Sequence, residues 1–120
     1  MKLEQIFREA LGRNASDIYI TTGNKPVLRV AGNLTILDDL PVFTGETASA
    51  YLFDIMTEAQ AEEFKQKMDL DFALEVPEVA RFRVNVFMQR KGIGGVLRLI
   101  PSRIPTMEER LQKILARAGL

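Results

Sequence analysis

Apolar residues recur along this chain in two rhythms, one near 3.6 residues and one of two, and the switches between them divide it into elements. Leu3, Ile6, Phe7, Ala10 and Leu11 share one face at helical spacing, and Gly12 stands where a helix commonly stops. "DIYITT" and "PVLRV" alternate as strands around a turn at Gly23 and Asn24, and Ala31, Gly32 and Asn33 turn the chain again towards Leu34 and Ile36. Thr44 precedes the helical stretch "GETASAYLFDIM", and Thr57 with Gln60 forms a capping-box signal for "EAQAEEFKQKM". "LDFALEV" then alternates strictly, with Leu70, Phe72, Leu74 and Val76 on one face and Asp71, Ala73 and Glu75 on the other. Pro77 interrupts the pattern, two further strands follow, and Thr106 with Glu109 caps a last helix running to about Gly119.

The predicted order is α-βββ-αα-βββ-α. Consecutive short strands joined by tight turns favour an α+β fold, a mostly antiparallel sheet flanked by helices, over a parallel doubly wound one. The 120 residues suit one domain with a single core, expected to occupy residues 1–120. No internal repeat, linker or low-complexity segment divides them.

Composition removes several chemistries. The chain has no Cys and no His, which excludes disulfides, thiol nucleophiles, Cys/His zinc sites and Ser-His or Cys-His catalysis. Its 16 basic and 16 acidic residues cancel, so no global attraction to nucleic acid or an anionic membrane is expected. The N-terminal "MKLEQIFREALGR" lacks the uninterrupted apolar run of a signal peptide or membrane span, and a cytoplasmic location is expected.

Charge is nevertheless segregated. From Glu46 to Glu78 nine acidic residues face only Lys65 and Lys67, a net of −7, whereas Val79 to Arg103 carries six basic and no acidic residues, +6. Within the basic stretch Phe82, Val84, Val86 and Met88 alternate with Arg81, Arg83, Asn85 and Phe87, so one strand face is apolar and the other largely cationic. A two-residue hairpin loop at Lys91 and Gly92 pairs Arg90 with Ile93, Val86 with Leu97, Val84 with Leu99 and Asn85 with Arg98. That register keeps the aliphatic pairs together and places Val96 and Ile100 among the arginines. Asp71 and Glu75 lie within cross-strand reach of Arg81 or Arg83, and such solvated pairs are the ordinary fate of a single surface arginine. A group of like charges on one face repels itself, while each planar guanidinium suits a bidentate carboxylate or phosphate, so the cluster points to an external anion.

"KGIGG" is not a phosphate loop, which requires Gly-x-x-x-x-Gly-Lys-Ser/Thr between a strand and a helix; its glycines serve a turn. Asp54, Glu58, Glu62, Glu63 and Asp69 lie mostly at helical surface spacing, without a calcium-loop pattern, and read as a solvated face.

Three stretches, "ASDIYITTGNKPVLRVAGNL" (15–34), "LDFALEVPEVARFRVNVFMQRKGIGGVLRLIPSRIPTMEE" (70–109) and more weakly "LFDIMTEAQAEEF" (52–64), together resemble the N-terminal domain of PilT-like twitching-motility ATPases, the type IV pilus retraction motors of the type II/IV secretion ATPase superfamily. Tyr19 stands where that family usually has His. The resemblance implies a PAS-like fold and a domain that packs on the RecA-like ATPase domain of its own or a neighbouring subunit in a homohexamer. It implies arginines approaching ATP phosphates, by motif position Arg83 in "FRVN" and Arg98 in "VLRL", with Arg81 and Arg90 as weaker matches. ATP and Mg belong, by the same resemblance, to the full-length motor and not to these residues. The motor would sit peripherally at the inner membrane, with the pilus platform protein as partner. Walker motifs and acidic catalytic groups are absent from the chain, which is expected to be an excised N-terminal domain without catalytic machinery of its own. The alternatives are a stand-alone PAS-like small-molecule or protein-interaction module, which would need a cavity with convergent polar groups, and a nucleic-acid binder, for which only Phe87 offers a stacking surface on the cationic face.

Overall fold

A computed structural model describes residues 2–76 and 80–100, together with Leu115 and Gly119. The first helix, α1 (Glu4–Gly12), runs through its glycine, and the chain leaves it at Asn14, whose φ of 55° supplies the left-handed turn. Three strands follow, β1 (Asp17–Thr21), β2 (Val27–Val30) and β3 (Asn33–Ile36). The β2–β3 hairpin turns on Ala31 and Gly32, with φ of 51° and 82°, the double positive φ that matches the twist of the flanking strands. Capping boxes at Thr44/Thr47 and Thr57/Gln60 start α2 (Gly45–Asp54) and α3 (Glu58–Lys67). The chain then forms β4 (Asp69–Val76), β5 (Ala80–Gln89) and β6 (Gly92–Ile100). The predicted last helix falls outside the described residues.

The six strands form one sheet, ordered β3-β2-β1-β6-β5-β4, with every neighbouring pair antiparallel. The closing strand β6 lies against β1, which joins the two runs of three strands into a single sheet. Ile18, Ile20, Leu28, Phe82, Val84, Val86 and Leu97 line one face and are fully or almost fully buried. Helix α1 lies on that face, where Phe7 stacks on Phe82 at 4.8 Å between ring centroids. Leu52 of α2 packs over Gly95, where a Cβ would stand 2.6 Å from a Leu52 methyl. Phe53 of α2 meets Phe64 of α3 edge-on at 5.8 Å. The expected PAS-like antiparallel sheet with helices is thus present, and the helix contacts seen here lie on its apolar face.

The β5–β6 register differs from the sequence expectation by two residues. Arg90 and Lys91, both at negative φ, form the turn, and Gln89 pairs with Gly92, Val84 with Leu97 and Phe82 with Leu99. The cause is tertiary. Gly92, at φ 137°, lies against Thr22, whose Oγ1 would be 2.9 Å from a Cβ there and instead donates to the Ile93 carbonyl at 2.8 Å. A glycine is required in the sheet at that close approach, so the turn moves one position earlier. A shift of two leaves each residue on its predicted face. It replaces the expected Asn85–Arg98 pair with Arg83 opposite Arg98.

Candidate functional site: an arginine row on the open face of the sheet

On the face opposite the helices, the registers of four strands align a row: Arg29 of β2, Asp17 of β1, Arg98 of β6 and Arg83 of β5. The strand period makes this automatic. Each of these residues is one position from a core residue of its own strand (Leu28, Ile18, Leu97 and Val84) and so lies on the polar face, and in-register pairing brings them side by side. Ala73 of β4 continues the row beyond Arg83.

Asp17 is the hub. Its side chain is only 7% exposed; Oδ1 accepts from Arg98 Nε at 3.2 Å, and Oδ2 lies 3.3 Å from Arg29 Nε. A carboxylate that far from water needs such partners, because an unpaired buried charge is costly. Arg29 is held further: Nε donates to the Tyr19 hydroxyl at 3.1 Å, Nη1 donates to the Gly32 carbonyl at 3.3 Å, and the guanidinium lies 5.9 Å from the Tyr19 ring centroid. The hydrogen bond to the Tyr19 hydroxyl, with the Asp17 carboxylate behind it, raises the Arg29 pKa above its ordinary value.

Arg98 is different. Its side chain is 73% exposed, and Nε is the one nitrogen engaged among the described residues, so neither terminal nitrogen has a partner among them. Arg83 is exposed and faces Ala73 on one side and Arg98 on the other, with no carboxylate partner among the described residues. Arg81 lies one row away and pairs with Glu75 at 3.6 Å, both exposed. Arg90 is in the β5–β6 turn, off the row. The structure therefore brings Arg83 and Arg98 together, gives Arg81 the solvated ion pair anticipated for an isolated arginine, and separates Arg90 from them. Asp71 faces Asn85, so it does not reach Arg83 as expected; Asn85 instead donates to Asp69 at 3.1 Å.

Sequence reasoning missed Asp17 and Arg29 as members of this site. The signal was parity: with Ile18, Ile20 and Leu28 in the core, Asp17 and Arg29 had to lie on the other face. Nothing local showed that β1 would be sandwiched between β2 and β6.

The arrangement can bind an oxyanion. Two guanidinium groups set on adjacent strands of a rigid sheet offer several N–H donors to one group of phosphate or carboxylate oxygens. Phe87, the one candidate stacking surface, is half-buried with its ring 3.0 Å from where a Gly94 Cβ would stand, so it caps a glycine and offers no open platform for bases. Among the described residues no group of three or more carboxylates converges as a metal site, and no helix is long and apolar enough to cross a membrane. A separate open groove of about 320 Å³ lies on the helical side, bounded by Ile6, Pro26, Val42, Phe43 and Tyr51.

No family model matches the chain. It is 38% identical over 109 residues to the type IV pilus retraction ATPase PilT of Pseudomonas aeruginosa, an alignment that takes in 91% of this chain and 31% of that protein. It is 34% identical over 121 residues to the type IV pilus ATPase PilU of the same organism, covering all of this chain and 31% of the relative. The crystal structure of the pilus retraction motor PilT with bound ADP superimposes with a TM-score of 0.78 at 34% identity, over 90% of this chain and 32% of that one. The chain thus spans about a third of the length of the curated relatives it matches.

Proposed function

Because the chain is homologous to the N-terminal domain of PilT-like twitching-motility ATPases, we propose that it serves as that domain in a type IV pilus retraction motor. In this reading residues 1–120 form a single PAS-like unit that precedes a RecA-like ATPase domain. Its open sheet face packs on the ATPase domain of its own or a neighbouring subunit in a homohexameric ring. There Arg83 and Arg98 meet the phosphates of ATP, and the ring works beneath the pilus platform protein at the cytoplasmic side of the inner membrane.

One observation carries the reading: Arg83 and Arg98 stand directly opposite each other on β5 and β6, both exposed, and among the described residues one carboxylate, Asp17, touches the pair, through Arg98 Nε. Like charges held side by side on a rigid surface are unfavourable unless an anion joins them, and an anion whose charge grows towards the transition state gains most from cations already in place. The donor set fits phosphate oxygens and not Mg²⁺, which would accompany ATP and be held by carboxylates outside this face. Arg81, paired with Glu75, and Arg90, in the turn, contribute to the local positive field without a place in the row.

The test joins the chain to its ATPase domain and replaces Arg83 or Arg98 with Ala. Each change is expected to lower ATP turnover of the assembled ring on the order of tenfold to a thousandfold, with Arg→Lys restoring only part, since a point charge does not reproduce a two-pronged contact. Wild-type turnover in both variants, with the ring intact, would return these arginines to a solvated sheet face. The groove beside Phe43 and Tyr51 favours a second reading, a small-molecule-binding PAS-like module; a ligand that copurifies with the chain and protects Tyr51 from chemical modification would support it.

A further inference from the structure

We infer that Asp17 is a positioning residue for Arg98: it fixes the guanidinium through Nε so that both terminal nitrogens are presented to an incoming phosphate. This deepens the proposed phosphate contact and rests on it. A surface arginine ordinarily samples many rotamers, and the freedom it must lose on meeting a ligand weakens the contact. Here that loss is already taken in the unliganded domain. Asp17 sits at the start of β1, directly opposite Arg98 on one side and Arg29 on the other, and its own rotamer is fixed from both.

The two arginines divide the work by which nitrogens they spend. Arg29 uses Nε towards Asp17 and Tyr19 and Nη1 towards Gly32, so its terminal fork is already half engaged by the protein and it serves as the anchor of the carboxylate. Arg98 uses Nε alone among the described residues. A carboxylate that took the terminal pair would compete with phosphate for the same fork; one that takes Nε orients the fork and leaves it open. Asp17 also lowers the repulsion between Arg98 and Arg83, so both cations can hold station before an anion arrives. With Arg29, Arg98 and Arg83 against one carboxylate, the row keeps a net charge of +2, which matches a terminal phosphate group.

A plain alternative is that Asp17 only staples β2 and β6 to β1. The two roles separate in a double-mutant cycle on the full-length motor, with wild type, Asp17→Asn, Arg98→Ala and the double variant compared for kcat and KM of ATP hydrolysis. Asn keeps the shape and one acceptor oxygen but not the charge. The positioning role predicts that Asp17→Asn lowers kcat about tenfold with a smaller change in KM, and that it adds almost nothing once Arg98 is Ala. If Arg98→Ala is harmless, the phosphate-contact reading fails and this inference falls with it. If Arg98→Ala lowers turnover but Asp17→Asn does not, or if Asp17→Asn lowers it by the same factor in both backgrounds, the inference alone is wrong. A second measurement needs no variant: in the 120-residue chain the Arg98 Nε–H should give an NMR signal that exchanges slowly with solvent, and rapid exchange would overturn the proposed clamp.

Discussion

Arg83 and Arg98 face each other across β5 and β6, yet their replacement by Ala should move the stability of the chain in opposite directions. Arg98→Ala removes the Nε–H···Oδ1 contact at 3.2 Å and leaves the 7%-exposed Asp17 carboxylate with Arg29 as its remaining guanidinium. A hydrogen bond to a charged group contributes about 1.5 to 3 kcal/mol. Because Arg98 is largely solvated and Arg29 stays, the low end, about 1.5 kcal/mol, is expected. Arg83 has no counter-charge among the described residues and one like charge opposite. Two unit charges roughly 8 Å apart in a water-like dielectric repel by about 0.5 kcal/mol, and physiological salt reduces this by more than half. Arg83→Ala should therefore leave stability unchanged or raise it by about 0.2 to 0.5 kcal/mol at low salt. In thermal melts of the chain followed by circular dichroism, Arg98→Ala should lower Tm by roughly 6 °C and Arg83→Ala should raise it by up to about 2 °C, a gain that disappears as salt is added. Equal losses in the two variants would refute the reasoning, since they would mean that Arg83 also has a structural anion and is not reserved for an external one.

Three further outcomes are expected. Gly95→Ala should destabilise the chain by about 1 to 3 kcal/mol in urea titration, because the new methyl enters the space of the fully buried Leu52 side chain; an unchanged midpoint would show that α2 is not seated tightly on β6. Ala31→Asn should stabilise it by roughly 1 kcal/mol, since Ala31 sits at φ 51° in the β2–β3 turn, and a lower Tm would contradict that turn geometry. The chain alone should hydrolyse no ATP, because its sequence carries no phosphate loop or recognisable general base; turnover by pure protein that is absent from a mock purification would sink this.

The sequence by itself determined the elements and their faces. Strict alternation in "LDFALEV" and "ARFRVNVF" reports which side of a strand meets the core, and the Thr44 and Thr57 caps report where helices begin, because both depend on neighbours a few residues away. It also determined which chemistry is missing, and it gathered the arginines onto one face. The tertiary structure alone decided which arginines lie side by side. The Thr22–Gly92 contact, across some seventy residues of chain, moved the hairpin register by two and set Arg83 against Arg98. The docking of β6 beside β1 brought Asp17 to Arg98 across 81 positions. Local pattern carries parity and not partnership: a two-residue slip leaves every side chain on its own face and changes every neighbour, and only the packing of distant strands selects among such slips.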